Sequence, residues 1–486
     1  MNCSRNYFSI SSLYQMKVKY IILFFLLLFC YKSNAQNCNC SDNFNYLVKR
    51  IEKNYIGYSD KINSINKSNF KKFTDSLKSE AANSNSYKCL SICREWLDFF
   101  KDQHLTFGMD FEKLSPDSVR KFFSDEEKTN WNKDSFKSYL TNNRNNLDSI
   151  EGIWNYGIYE IGIVRDTTKR DTEFIAFITK ADSMRWMPQQ IKFRLAKSNG
   201  SYKTIYFNGG DHSRSTPIIN KQIDGLNFGI FGNWHKGEKI TKNTQNNPIQ
   251  QDMNPKFSQL DEKTSLIILP SFEGIYKLKI DSLVDKNQNN LSKTEHLIID
   301  VRDNEGGTTS SFEKLIPYLY TNPIRVDGGI VLATEENIRD CYDKEYPYAT
   351  SRERIELKNN VKKLKSHLGE KYLLYKPHTI KLSKILKNPK RISILMNSNT
   401  ASSGELFILR AEQSKKVKLY GSNTAGMVDY GEIVKILLPC KYYTLFYPAS
   451  KSLHSIKRPL DNIGIAPTVQ ITEDTVDWVT FVKNYK

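Results

Sequence analysis

The chain has 486 residues, which is enough for two or three domains that each bury their own core. Its formal net charge is +18, but the lysines are dispersed among many asparagines and no aromatic nucleic-acid-binding motif occurs. The basicity therefore indicates a solvated surface that would attract anionic envelope surfaces or acidic peptides, and no nucleic-acid partner is expected. Metal-ligand spacings and glycine-rich phosphate loops are also missing, so we expect neither a metal nor another cofactor.

The N-terminus has the pattern of a secretion signal. Lys17 and Lys19 precede an uncharged apolar run, Tyr20–Tyr31, which is too short to span a bilayer but suits a signal-peptide core. Cleavage after Ala35 removes four basic residues and no acidic ones, which lowers the net charge to +14. An uncleaved interfacial anchor is the alternative. The pattern predicts a signal peptide over residues 1–35 and an exported protein, in the periplasm, the cell envelope or the medium.

The cysteine count is compatible with disulfide bonds in an exported protein. A bond between one of the first two cysteines of the mature chain and one of the next two would staple its first helices. The last two cysteines are a further candidate pair. Spacing alone does not decide which cysteines are joined. The six cysteines after the predicted cleavage site are Cys38, Cys40, Cys89, Cys93, Cys341 and Cys440.

The first part of the mature chain is predicted to be helical. Apolar residues recur at helical spacing over Phe44–Tyr55, and Ser41 and Asp42 are candidate N-caps for this helix. Two further helices are predicted around Phe70–Leu77 and Leu90–Phe100. With a polar connector that follows the third helix, they define an N-terminal helical domain and connector over residues 36–146.

The middle of the chain changes to a strand pattern. Short β-branched and aromatic runs, separated by turn residues, occupy about residues 152–231 and predict a compact antiparallel sheet or barrel. The segment lacks the carboxylate-binding loop of a PDZ domain, so we expect a different β-rich module, over residues 150–260.

The last part of the chain alternates between strands and helices. Strands are predicted at Ser265–Pro270 and Leu297–Val301, and a helix is predicted after each of them. This alternation is typical of an α/β core, here over residues 261–486. A lysine-rich insertion at about residues 335–388 is expected to form an exposed helical flap. The predicted fold class is therefore α/β in the core and α+β overall.

A candidate nucleophile lies in the segment Thr400–Glu405, T-A-S-S-G-E. An apolar run, Ile392–Met396, precedes it, and a helical pattern, Leu406–Gln413, follows it. A small-residue turn between a strand and a helix can expose a hydroxyl at the helix N-terminus, where free N–H groups and the helix dipole favour negative charge. Ser402 has this setting, although a serine there is also an ordinary helix cap.

Three more segments accompany the serine in a fixed order. Leu297–Gly307, LIIDVRDNEGG, reads as a buried strand that runs into paired glycines, which let the backbone approach a ligand closely. Gly421–Gly426 reads GSNTAG, and Asp461–Pro467 reads DNIGIAP. Together with the serine segment, they resemble the motifs of the tail-specific (C-terminal processing) and tricorn-type serine protease family, over about residues 260–486.

The resemblance also implies which residue acts as the base. One branch of the family has a lysine directly after the glycine turn, but Met427 stands there and a thioether cannot accept a proton. Asp102–Thr106, DQHLT, is similar to the D-x-H-T segment of the branch that uses a histidine. His104 is then the expected base for Ser402. Tricorn itself has a serine before the histidine, where this chain has Gln103.

The remaining roles come from the same resemblance. Asp461 matches the acidic member of the relay, and the oxyanion hole would consist of the Ser403 N–H with that of Gly306 or Gly307. His454 is a rival base because it is near Asp461 in sequence. The ordinary interpretations are a packed histidine at His104 and a turn-forming side chain at Asp461.

The sequence thus predicts an exported serine endopeptidase that acts on peptides or proteins through acyl transfer. A catalytically weak or inactive relative that binds peptides or apolar ligands is the alternative, because a fold does not determine its chemistry. A third alternative is an envelope hydrolase that acts on non-peptide acyl bonds.

Overall fold

The computed structural model describes residues 39–84, 88–167, 173–198, 201–215, 219–222, 225–228, 232–237, 252–347, 349–471, 475 and 477–485. The predicted signal peptide, residues 1–35, and Cys38 lie outside these residues. Within the described ranges, no helix combines the length and the apolar character that crossing a membrane requires.

The helices are α1 (Cys40–Asn54), α2 (Tyr58–Lys61), α3 (Lys67–Asn83), α4 (Cys89–Asp98), α5 (Pro116–Phe122), α6 (Lys133–Asn142), α7 (Lys277–Lys286), α8 (Gln288–Lys293), α9 (Ile316–Leu319), α10 (Glu335–Asn337), α11 (Ser351–Lys365), α12 (Ser403–Ala411) and α13 (Trp478–Asn484).

The strands are β1 (Thr106–Met109), β2 (Gly152–Tyr156), β3 (Tyr159–Arg165), β4 (Glu173–Lys180), β5 (Ile191–Ser198), β6 (Ser201–Phe207), β7 (Arg214–Ser215), β8 (Asn220–Gln222), β9 (Gly225–Asn227), β10 (Asn233–Lys236), β11 (Lys256–Gln259), β12 (Thr264–Ile268), β13 (His296–Asp300), β14 (Ile324–Val326), β15 (Gly329–Leu332), β16 (Lys371–Tyr375), β17 (His378–Ile380), β18 (Arg391–Met396), β19 (Val417–Gly421), β20 (Tyr430–Leu437), β21 (Tyr443–Ser452) and β22 (Val469–Gln470).

The three predicted N-terminal helices are present as α1, α3 and α4. Asn39 caps α1 by accepting the Ser41 N–H at 2.9 Å, so the predicted caps, Ser41 and Asp42, are instead residues of the first turn. The helices bury aromatic rings such as Phe44 and Trp96, which meet edge to face with their centroids 6.2 Å apart. A disulfide bond between Cys40 and Cys89 joins α1 to the start of α4, which confirms one of the predicted pairings.

The helical region does not form a core of its own. Strand β1 pairs antiparallel with β21, with Thr106 opposite Phe446, in a sheet that also contains β15, β16 and β20. The buried side chains of the helices pack against this sheet in one continuous cluster. The expected boundary at residue 146 therefore does not separate two cores, because buried residues between Cys40 and Phe123 share one core with buried residues between Val331 and Ala449.

The lysine-rich insertion also differs from the expected exposed flap. Its strand β16 pairs with β15, and its helix α11 buries Val361 and Leu364 against the same cluster as the N-terminal helices. Apolar burial on one face of α11 explains why the segment packs despite its many lysines. The Cys341–Cys440 pairing is wrong, since the buried Cys341 thiol is free and Cys440 is disulfide-bonded.

The middle module is a nine-stranded antiparallel sheet in the order β7-β6-β5-β4-β3-β2-β10-β9-β8. Its largest buried side chains include Trp154, Trp186 and Trp234. The predicted antiparallel architecture is therefore present.

The α/β core is a six-stranded sheet in the order β11-β12-β13-β18-β19-β22. All neighbouring pairs are parallel except the edge pair of β11 and β12. Strands β13 and β18 are almost fully buried, as expected for parallel strands covered on both faces. Helix α13 packs on one face of the sheet and is an element that the sequence reasoning missed.

Candidate active site

The candidate site lies at the carboxyl end of the parallel sheet. Asp300 at the end of β13 is in register with Leu395 of β18, and Met396 is in register with Gly421 of β19. The loops after these three strands therefore leave the sheet side by side. They carry the paired glycines, the serine segment and the glycine turn. Ligands of open α/β sheets bind at this edge, because the loops there converge.

Ser402 occupies an unusual backbone conformation at the start of α12. Its φ is 51° and its ψ is −118°, in a region that residues with a side chain rarely adopt. Such a conformation costs on the order of 1–3 kcal/mol and persists only where its surroundings hold it. The turn between β18 and α12 thus holds a half-buried serine at a helix N-terminus, as the sequence predicted.

Glu405 holds the Ser402 turn in place. The Glu405 side chain is fully buried, and its Oε2 accepts the N–H groups of Ser402 at 3.1 Å and of Met427 at 2.8 Å. Its Oε1 accepts the Thr424 hydroxyl at 2.6 Å and the Gly426 N–H at 2.9 Å. One carboxylate therefore joins the serine turn to the glycine turn. Met427, at the position of the family's lysine, contributes its backbone N–H to this network.

The paired glycines lie directly against the serine. A Cβ at Gly306 would lie 2.9 Å from the Ser402 Cβ and 2.8 Å from the Ser403 nitrogen, so only glycine allows this approach. The Gly306 N–H donates to Asn304 Oδ1 at 2.9 Å, which leaves it unavailable to a substrate. A Cβ at Gly307 would also collide with backbone, at 2.3 Å from Phe272.

Hydrogen bonds hold the loop of the paired glycines on two sides. The Gly306 carbonyl accepts from the Phe272 N–H at 3.0 Å, and the Thr308 N–H donates to the Phe272 carbonyl at 2.8 Å. The Gly307 carbonyl accepts the Ser403 hydroxyl at 2.8 Å. The loop therefore joins Phe272 to the start of helix α12.

His104 is carried into this region by the pairing of β1 with β21. It lies two residues before β1, and its side chain is 8% exposed. The neighbouring Gln103 donates from Nε2 to the Ala425 carbonyl at 3.0 Å, in the glycine turn that Glu405 joins to Ser402. Asn462 donates in turn to the Lys101 carbonyl at 2.6 Å. The histidine loop is thus bonded both to the glycine turn and to the C-terminal DNIGIAP segment.

Across the described residues, no hydrogen bond joins the His104 ring to the Ser402 hydroxyl. Its Nδ1 is buried without a hydrogen-bond partner and lies 3.7 Å from Asp102 Oδ1. Asp102 also accepts the His104 backbone N–H through Oδ1 at 2.9 Å and the Tyr55 hydroxyl through Oδ2 at 2.7 Å. Hydrogen bonds of catalytic groups are often long in unliganded enzymes and shorten when substrate binds.

Asp461 lies within electrostatic reach of the same cluster. Burial, together with the negative charges of Asp102 and Asp429, raises the pKa of Asp461 from 3.8 to about 7. The positive charges of Lys61, at 3.5 Å from Asp461 Oδ2, and of His104 oppose this shift. Asp461 therefore faces the histidine loop, but the atom in direct contact with its carboxylate is the Lys61 nitrogen.

The rival base, His454, is fully engaged elsewhere. Its Nε2 is 2.8 Å from Asp429 Oδ1, and its Nδ1 is 2.6 Å from the Ser452 hydroxyl. Burial alone would raise the pKa of Asp429, but the hydrogen bonds from His454 and from the Leu460 and Asp461 N–H groups lower it. With both ring nitrogens bonded, His454 supports the loop that carries Asp461 and has no nitrogen free to act as a base.

Sequence reasoning missed the supporting residues of the site. Glu405 closes the serine segment, and its position three residues after the cap is the signal of a capping box, which could have identified it. Tyr55 and Lys61 follow helix α1 without any motif, so no local pattern indicated their contacts with Asp102 and Asp461.

The matching family model is described as Peptidase family S41, and it covers residues 263–471. The match spans the parallel sheet, the paired glycines, Ser402 and the DNIGIAP segment. This part of the molecule therefore has the fold of a serine protease. Residues 263–471 therefore match the peptidase S41 family, that of the tail-specific and tricorn-type proteases, as the four motifs predicted.

Among solved structures, distant likenesses extend over most of the chain. Mature CPAF is 10% identical, with 92% of this chain and 95% of that chain covered and a TM-score of 0.45. The photosystem II D1 C-terminal processing protease is 12% identical, with 90% and 94% covered and a TM-score of 0.38. The tricorn protease is 12% identical, with 89% and 34% covered and a TM-score of 0.38. No match was found among curated protein sequences.

Proposed function

We propose that the protein is an exported serine endopeptidase in which Ser402 is the nucleophile and His104 is the general base. The observation that carries the proposal is the backbone of Ser402, which is held at a positive φ by Glu405 and lies directly against Gly306. A helix cap needs neither the strained backbone nor the glycine contact. A nucleophile that must project from a sharp strand-to-helix turn requires such support.

The proposed reaction is acyl transfer without a metal or another cofactor. His104 accepts the Ser402 proton while the serine oxygen attacks the peptide carbonyl, and it then returns the proton to the leaving amine. Water attacks the resulting ester by the same route and releases the second product. The link from Gln103 to the glycine turn supports the approach of the histidine loop to Ser402.

The oxyanion would be bound by the N–H groups of Ser403 and Gly307. Ser403 opens helix α12, where the helix dipole favours negative charge. Gly307 is favoured over Gly306 because the Gly306 N–H already donates to Asn304. Asp461 is the proposed acidic member of the site, since its carboxylate interacts electrostatically with His104.

The proposed substrates are peptides or proteins outside the cytoplasm. The N-terminal signal pattern supports export, and the net charge of +14 after cleavage at Ala35 favours acidic substrates or a peripheral association with anionic envelope surfaces. A nucleic-acid partner is not part of the proposal, because the basic residues form no recognition motif.

Ser402→Ala tests the proposal. We expect the wild-type protein to cleave an unstructured protein such as casein and to react with a fluorophosphonate probe, and we expect the variant to do neither. Ser455→Ala is the matched control, because the Ser455 hydroxyl donates only to the Ser452 carbonyl at 2.7 Å among the described contacts. Turnover that survives in Ser402→Ala would overturn the proposal. A wild-type protein that binds peptides without labelling would support the ligand-binding alternative.

A further inference from the structure

The carboxylate of Asp102, two residues before His104 in sequence, lies beside the His104 ring. The Asp102 carboxylate is 1% exposed and reaches the histidine in two ways. Its Oδ1 accepts the His104 backbone N–H at 2.9 Å and lies 3.7 Å from the ring Nδ1. The second distance exceeds that of a hydrogen bond, so a small rotation of the ring or of the carboxylate is needed to form one.

The other carboxylate oxygen is held by Tyr55. The Tyr55 hydroxyl donates to Asp102 Oδ2 at 2.7 Å, and its own ring is packed between two others. Phe100 meets it edge to face at 5.6 Å, and Tyr430 lies at 5.9 Å. Burial raises the pKa of Tyr55 far above its ordinary range, so the phenol keeps the proton that it donates. Asp102 is thus restrained on both of its oxygens.

We infer that Asp102, itself oriented by Tyr55, is the positioning residue for His104, an inference that rests on the proposed function. The unpartnered Nδ1 is the observation that points to this role, because a buried ring nitrogen without a partner is rare. Its hydrogen atom faces Asp102 when the ring carries its proton on Nδ1. In that tautomer, Nε2 is left to accept the Ser402 proton, and the carboxylate stabilises the imidazolium that forms.

Asp461 is less suited to this role. Its Oδ2 is engaged with Lys61 at 3.5 Å, and it shares the negative field of two other carboxylates, Asp102 and Asp429. Asp102 orients the histidine, and Asp461 balances Lys61. Around Asp102 and His104, the titratable groups from neighbouring elements are Tyr55, Lys61, Asp429, Tyr430 and Asp461.

The test compares Asp102→Asn, Tyr55→Phe and Asp461→Asn in the full-length mature protein. We expect Asp102→Asn to lower kcat/KM on the order of 10²- to 10⁴-fold, the range for a misoriented general base. Tyr55→Phe should lower it about tenfold through the loss of one hydrogen bond. Tyr58→Phe is the matched control, because its hydroxyl donates to Glu52 at 3.3 Å and, among the described contacts, bonds neither Asp102 nor Asp461.

Two readouts separate orientation from a structural effect. The ¹⁵N shifts of the His104 ring should report the Nδ1–H tautomer in the wild type and a shift toward the Nε2–H tautomer in Asp102→Asn. The acid limb of the kcat/KM profile should move to lower pH in Asp102→Asn, because the variant lacks the charge that favours the imidazolium. If Asp102→Asn does not fold, Tyr55→Phe decides, since it keeps the aromatic ring and removes only the hydroxyl.

The outcomes distinguish this inference from the proposed function. Turnover that persists in Ser402→Ala would refute both the proposed function and the inference about Asp102. If Ser402→Ala is inactive while Asp102→Asn folds, works at the wild-type rate and keeps the wild-type tautomer, only the role of Asp102 is refuted. Loss of activity confined to Asp461→Asn would then assign the orienting role to Asp461. A Tyr55→Phe variant that matches Tyr58→Phe in rate and pH profile would likewise overturn the inference.

Discussion

Replacing Glu405 with Gln tests whether one buried carboxylate maintains the Ser402 turn. Each of its two oxygens accepts two hydrogen bonds, at distances between 2.6 and 3.1 Å. Glutamine keeps the size of the side chain but replaces one oxygen with an NH₂ group. Whichever way the amide is turned, this group therefore meets two donors where wild type presents an acceptor.

The expected loss of stability follows from the two hydrogen-bond donors that the NH₂ group would face. A hydrogen bond to a charged group contributes roughly 1.5–3 kcal/mol, so the free energy of unfolding should fall by about 3–6 kcal/mol. The Ser402 backbone, at φ 51°, should also relax once its N–H loses the Glu405 acceptor in part of the molecules. We expect fluorophosphonate labelling of Ser402 to slow by roughly tenfold or more, which corresponds to about 1.4 kcal/mol in the activation barrier.

Urea unfolding followed by tryptophan fluorescence measures the first effect, and labelling kinetics in the absence of urea measure the second. Glu412→Gln is the control, because Glu412 lies at the other end of the same helix and pairs with Arg458 at 2.6 Å near the surface. Such a pair contributes about 0.2–1 kcal/mol. A Glu405→Gln protein within about 0.5 kcal/mol of wild type that also labels at the wild-type rate would refute the reasoning.

Two further predictions concern stability. Replacing both Cys40 and Cys89 with Ser opens a loop between residues 49 positions apart, so the free energy of unfolding should fall by about 4 kcal/mol; an unchanged melting temperature under oxidising conditions would contradict this. Asp461 has its pKa raised from 3.8 to about 7 on folding, so the folded state holds a proton that the unfolded state releases. Stability should therefore decline as the pH rises from 3.8 to about 7, and Asp461→Asn should reduce this decline; equal slopes in urea titrations of the two proteins would exclude the effect.

The serine turn illustrates how much local sequence determines. Ile392–Met396 is apolar enough for a buried strand, and the small residues after it permit only a tight turn before the helical pattern resumes. The paired glycines are likewise a feature of the local backbone, because the φ values of Gly306 and Gly307, 101° and 137°, exclude other residues. These features depend on residues that are neighbours in the chain, so a pattern in the sequence can indicate them.

The position of His104 depends on contacts that no local pattern contains. Strand β1 has only four residues, and its partner β21 lies more than 300 residues further along the chain. The lysine-rich segment shows the same limit, since its charges predicted an exposed flap while the pairing of β16 with β15 builds it into a sheet. The prediction of a Cys341–Cys440 disulfide bond is wrong for the same reason, because the partners of a disulfide bond are set by their proximity in the fold.

The sequence by itself determined the strand-to-helix turn with Ser402, the glycines beside it and the α/β alternation of the core, because backbone preferences and hydrophobic periodicity act over a few residues. Only the tertiary structure decided that Tyr55 contacts Asp102, that Lys61 contacts Asp461 and that Glu405 joins two turns. These contacts depend on which strand edges pair and which apolar faces share a core, and such choices are made by the whole chain at once.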